Sequence, residues 1–165
     1  MSDMKNILEV ALSFEKSGQE FYKSNMQNVN QALARETFKY LMEMETSHVE
    51  FISKMIDELE AGQKIQAEHL KEDKDLFGER LKSQGLMEST YSKDLADLSI
   101  LRMAYLIEKD FVQYYDRASE KVDERAQKEL LVMLRDWEKG HMELVKYLME
   151  RIYEKNALDL GFYPF

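Results

Sequence analysis

Two short patterns put an acid and an imidazole on one side of a helix: Glu45-Thr46-Ser47-His48 and Glu138-Lys139-Gly140-His141. Residues at i and i+3 share a helix face, so each Glu-x-x-His can aim a carboxylate and a ring nitrogen into one cavity. Thirty residues before each pair stands a further glutamate, Glu15 and Glu108. All four glutamates interrupt stripes of apolar residues. A carboxylate buried alone is costly, and it normally protonates or moves to the surface. Four such acids need a common explanation. Two divalent metal ions supply one, because their charge offsets the cost of burying the acids. Carboxylate oxygen combined with imidazole nitrogen favours iron or manganese over magnesium or calcium, with zinc as a further candidate.

Holding these groups together requires long helices, and the composition supplies them. The only proline is Pro164, and glycines number six among 165 residues. Leu, Met, Ala, Glu, Lys and Gln, all good helix formers, are abundant. Four helices are expected. The first runs from a Ser2/Asp3 cap to about Asn28, with Leu8, Ala11, Glu15, Gly18 and Tyr22 facing inward at steps of three and four. The second starts near Asn30 and turns Phe38, Leu41, Glu45, His48 and Ile52 inward. The third starts near Ser92 or Asp94, with Leu101, Ala104, Glu108, Phe111 and Tyr115 on its inner face. The fourth begins near Asp123, with Leu134, Glu138, His141 and Val145 facing in. The first two helices are joined by a short link and must run antiparallel. Glu15 and Glu45 are equidistant from residue 30, in that link, and Glu108 and Glu138 are equidistant from residue 123, in the second link. Each hairpin therefore brings two glutamates level, roughly 20 Å from its turn at 1.5 Å per residue.

The hairpins repeat. A shift of 93 residues carries Glu15 to Glu108, Tyr22 to Tyr115, Glu45 to Glu138 and His48 to His141. Between them lies a polar stretch of about 61–91, too long for a tight turn. It reads as a crossover connection with a short helix around Lys74 to Lys82. Residues 1–156 thus form one all-α four-helix bundle, and 157–165 an apolar tail. The tail and the crossover suggest surface that a second copy covers, so a homodimer is expected.

A net charge of −9 without a basic stripe argues against nucleic-acid binding. The chain has no cysteine, which excludes disulfides and thiolate-held metal in it. No apolar run has the length of a membrane span or follows the N-terminus as a leader would, so a cytoplasmic location is expected.

The residues Phe14-Glu15-Lys16 with Gly18 and Phe21-Tyr22, Glu45 to His48, Glu108-Lys109 with Tyr115, and Trp137-Glu138-Lys139-Gly140-His141 carry a resemblance to the rubrerythrin-like branch of ferritin-like proteins. It extends from about residue 4 to residue 153. The resemblance implies a ferritin-like bundle with a di-iron carboxylate site. It further implies that Glu45 and Glu138 bridge the irons, with Glu15 and His48 completing one and Glu108 and His141 the other. Three departures are visible. Phe111 stands where rubrerythrins carry an extra glutamate, and these 165 residues contain none of the cysteines that hold a rubredoxin iron centre. Thr46 stands where bacterioferritins have a haem-binding methionine, so no haem is expected.

Two iron ions in such a site would react with dioxygen or hydrogen peroxide and draw on an external electron donor. The alternatives are an iron-storage protein, or a non-catalytic helical protein with a structural metal. Tyr22 and Tyr115 read either as core aromatics or as hydroxyl donors to ligand carboxylates. Trp137 reads as packing and His69 as a surface residue.

Overall fold

The computed structural model describes residues 2–70 and 76–157. Among the described residues five α-helices form: α1 (Ser2–Asn25), α2 (Ala32–Glu60), α3 (Leu76–Ser83), α4 (Tyr91–Ser119) and α5 (Arg125–Lys155). The four long ones make the expected all-α bundle, with α1 packed on α2 and α4 on α5. Short α3 lies in the crossover, where a short helix is expected, behind a 3₁₀ turn at Ala67–His69; the expected start at Lys74 falls outside the described residues. The crossover residues 71–75 and the tail from 158 onward lie outside the described residues, and with them much of the surface from which a homodimer is inferred. No helix among the described residues is long and apolar enough to cross a membrane.

The apolar stripes bury as their periods require, but the core is not continuous. One half contains Tyr22, Phe38, Leu41, Leu101, Ala104, Val145 and Leu148. The other contains Leu8, Ala11, Ile52, Met55, Tyr115, Leu131 and Leu134. Along each long helix, one glutamate, with its histidine on α2 and α5, falls between the two halves. The bundle is thus an apolar–polar–apolar stack.

Two buried acids fasten one end of it. Gln31, the residue ahead of α2, makes no side-chain cap. Asp97 of α4 accepts instead from the amides of Asn30 (2.7 Å) and Gln31 (2.8 Å), placing negative charge at the positive end of α2. α2 starts at Ala32, close to the expected Asn30. Asp94, read as a helix-start residue, is fully buried, and Thr90 caps α4 in its place by accepting from Lys93 N at 3.2 Å. Asp94 takes hydrogen bonds from Gln31 (3.1 Å), Lys155 (2.7 Å), Asn156 (2.8 Å) and Ser89. It ties the first hairpin, the end of the crossover and the end of α5 together. His69, expected at the surface, is partly exposed and has partners there. Its side chain is 17% exposed, Nε2 lies 3.0 Å from Glu58, and Nδ1 accepts from Gln66 N at 3.0 Å.

Burial alone would raise the Asp94 pKa, but the bonds from Lys155, Ser89, Asn156 and Gln31 outweigh it and hold the group down at about 2. A carboxyl depressed in the folded state stabilises the fold above its unfolded pKa of about 3.9 and loses that contribution as pH falls toward the folded value. Asp94→Asn is therefore expected to cost about 2–3 kcal/mol in urea unfolding at pH 7. The difference from wild type will shrink as pH drops from about 4 to about 2. A difference that is constant with pH would show that the carboxylate charge at Asp94 is not what holds this end.

Candidate metal centre

Glu15, Glu45, Glu108 and Glu138 have no exposed surface at all, and His48 and His141 almost none. The folding reason is periodicity: each acid occupies a step of its helix's apolar stripe, so the packing that buries Leu41 or Leu134 also buries Glu45 or Glu138. All six residues expected from the sequence meet in one cluster. Among the described residues, Glu45, His48, Glu138 and His141 form a group whose ligand-type atoms lie within 4.8 Å of one another.

The cluster has two matching halves. His48 Nδ1 lies 3.3 Å from Glu15 Oε2, and His141 Nδ1 lies 3.7 Å from Glu108 Oε2. The other two acids face both imidazoles. Glu138 puts Oε1 3.0 Å from His48 Nδ1 and Oε2 3.3 Å from His141 Nδ1. Glu45 puts Oε2 3.6 Å from His48 Nδ1 and Oε1 3.2 Å from His141 Nδ1. The imidazole rings are parallel within 6°, with centroids 5.1 Å apart.

Tyr22 and Tyr115 are hydroxyl donors, and they cross the bundle. Tyr22 of α1 donates to Glu108 of α4, and Tyr115 of α4 donates to Glu15 of α1. The 93-residue repeat exchanges the two bonds. Each phenol therefore fixes the carboxylate of the opposite half. Burial first, then the charges of Glu108 and Glu45 for Tyr22 and of Glu15 and Glu138 for Tyr115, raise both phenol pKa values, so both keep the proton they donate. Trp137, expected only to pack, stacks on His48 with centroids 4.7 Å apart. Its position just before Glu138 gives no local hint of this.

Without a cation the cluster is electrostatically frustrated. Burial, followed by repulsion from Glu138 and Glu15, pushes Glu45 well above the carboxylate range. Burial likewise raises Glu108 to about 7 against the pull of His141. Burial would raise Glu138 too, but His141 and His48 outweigh it and hold this acid ionised. Burial would lower both imidazoles, yet Glu138 overcomes it and raises them. Glu45 Oε2, Glu108 Oε2 and both Glu138 oxygens are buried without a hydrogen bond. Buried oxygens in that condition normally have a partner. Four carboxylates and two imidazole nitrogens are a donor set for two transition-metal cations, so the residues present fit such a pair.

Comparison with known proteins identifies the fold and the family. The chain shares its fold with a hypothetical protein from Pyrococcus furiosus: TM-score 0.66, 22% identity, 93% of this chain and 94% of that chain covered. Among curated proteins none matches. The Rubrerythrin family model matches residues 6–149. That span holds the polar layer and all four long helices except the extreme ends of the first and last. The chain belongs to the rubrerythrin family, and its buried Glu/His cluster fits the di-iron centre that this family implies.

Proposed function

We propose that the protein is a non-haem di-iron oxidoreductase acting with dioxygen or hydrogen peroxide. Glu15, Glu45, His48, Glu108, Glu138 and His141 hold the metal pair. The observation that carries the reading is the disposition of Glu45 and Glu138, each with one oxygen toward each imidazole. Two shared acids plus one private acid and one private imidazole per half is a two-metal arrangement. Iron held there would supply the electrons that reduce the oxidant.

The chain's own groups do the rest. Tyr22 and Tyr115 hold Glu108 and Glu15 in place by donating to them. Protons kept on the acids by burial in the metal-free state leave as cations enter, so loading releases acid. The apolar halves above and below the layer limit water entry. With no cysteine in the chain to hold a thiolate-ligated iron centre, repeated turnover draws electrons from a separate donor.

The test is rapid mixing of oxygen or peroxide with protein loaded anaerobically with ferrous iron, followed by near-ultraviolet absorbance. The wild type is expected to oxidise faster than free ferrous ion, and His48→Ala and His141→Ala to lose the advantage. Oxidation no faster than that of free iron would remove the oxidoreductase reading and favour a structural metal site.

A further inference from the structure

The 93-residue repeat pairs Gly18 with Phe111, each one turn beyond its helix's site glutamate. The two are unlike in size and they meet. A Cβ built on Gly18 would lie 3.1 Å from Phe111 Cε2 and 3.5 Å from Glu45 Cδ. The first distance is too short for comfortable contact. The edge of the Phe111 ring therefore fills the volume a side chain at position 18 would take, beside the carboxyl of Glu45.

Outside it the Phe14 ring stacks on Phe111, with centroids 5.7 Å apart and planes within 7°. Phe14 in turn meets the edge of Tyr114 at 5.0 Å. Phe14 and Tyr114 line an open groove with Ile7, Gln113 and Arg117. Tyr114 donates to the Ile7 carbonyl at 2.7 Å, which braces α4 against α1 there. The two imidazoles stack on each other on the α2 and α5 side, with Trp137 over His48. On the α1 and α4 side, Phe14 and then Phe111 stand between the groove and Glu45.

We propose that Phe111, seated in the space Gly18 leaves and backed by Phe14, is the specificity-determining gate of the centre. It admits reactants of two or three heavy atoms, such as dioxygen, peroxide or azide, and excludes ring-sized organic acids. The inference rests on the metal-site reading above. Its physical basis is that a ring stacked on one side and held against a glycine backbone on the other leaves no standing channel. Small species pass when the rings shift, and larger ones need an opening of the helix pair.

Cobalt(II) serves as the probe metal because its visible bands report ligand binding whether or not the protein turns over. The first step is to count bound cobalt. Fewer than two ions per chain would overturn the metal-site reading, and the gate with it. With two ions bound, azide is expected to change the wild-type spectrum and benzoate to leave it unchanged. Phe111→Ala is expected to answer to both, and to lose cobalt to a bulky aromatic chelator roughly tenfold faster because no opening step limits access. Phe77→Ala, an equal truncation in α3, controls for general loosening and is expected to behave as wild type. Should Phe111→Ala fail to fold, Phe111→Leu is expected to show the same change to a smaller degree. A wild type that answers equally to azide and benzoate, or to neither, overturns the gate. So does a Phe111 variant indistinguishable from Phe77→Ala.

Discussion

Stripping the metal from the loaded protein is expected to lower its unfolding temperature by roughly 10–30 °C. The magnitude follows from mass action. A ligand present at 100 to 1,000 times its dissociation constant stabilises the folded state by about 2.7–4.1 kcal/mol, so two such ions give about 5–8 kcal/mol. In a chain of this size each kcal/mol moves the midpoint by about 2–4 °C. Structure explains why the gain is not shared with the unfolded chain. The six donors come from four helices and converge only when the bundle is closed. Scanning calorimetry of the iron- or cobalt-loaded protein with and without chelator measures the shift. An unchanged midpoint would mean that the buried acids are accommodated without cations.

A second large effect separates two acids that look equivalent by repeat. In the metal-free protein, Glu138→Gln is expected to cost roughly 3–5 kcal/mol at pH 7, and Glu45→Gln less than about 1 kcal/mol. Glu138 is the ionised counter-charge that lies 3.0 Å and 3.3 Å from the two imidazoles. Losing its charge leaves both rings without their main source of stabilisation in the charged form. Glu45 is already pushed toward its neutral form, by burial and then by Glu138, so glutamine imitates the state it occupies. Both substitutions are expected to abolish tight metal binding, because each removes an oxygen shared between the halves. Urea unfolding of the two metal-free variants makes the comparison. Equal losses would contradict the charge distribution described for the cluster.

The parts of this site visible in the sequence are those carried by local periodicity. An acid in an apolar stripe breaks the pattern at a fixed step, and the equal spacing of Glu15 and Glu45 from one turn gives their common height. The antiparallel hairpins and the repeat follow from the same spacings. The chemistry of the tyrosines was visible only in part. Their place on the stripe is local, but which carboxylate each one reaches depends on how α1 packs on α4, and no spacing within a helix encodes that.

Asp94 and Asp97 show a different limit. Stepping back from Leu101 by four and then three residues reaches Asp97 and Asp94, so both continue the inner face of α4. Acids near the start of a helix have a ready local explanation as first-turn residues, and that explanation conceals burial. Their partners Gln31 and Asn156 are 63 and 62 residues from Asp94 and become neighbours only in the closed bundle. The Gly18 and Phe111 contact is hidden for the same reason. The exchange of a small for a large residue across the repeat is visible, whereas the interlock it produces is a property of packing between helices.

One buried layer is proposed to hold two metal ions. Anaerobic titration of the metal-free protein with ferrous iron tests it most directly, with bound metal measured by elemental analysis after desalting. The single tryptophan, Trp137, stacks on His48, so its fluorescence follows the same event. Saturation is expected at two ions per chain, with a fluorescence change that ends at the same point, and both are expected to be lost in Glu45→Ala and Glu138→Ala but not in Glu43→Ala on the outer face of α2. Saturation at one ion or none, or equal losses from all three variants, would contradict the two-metal layer.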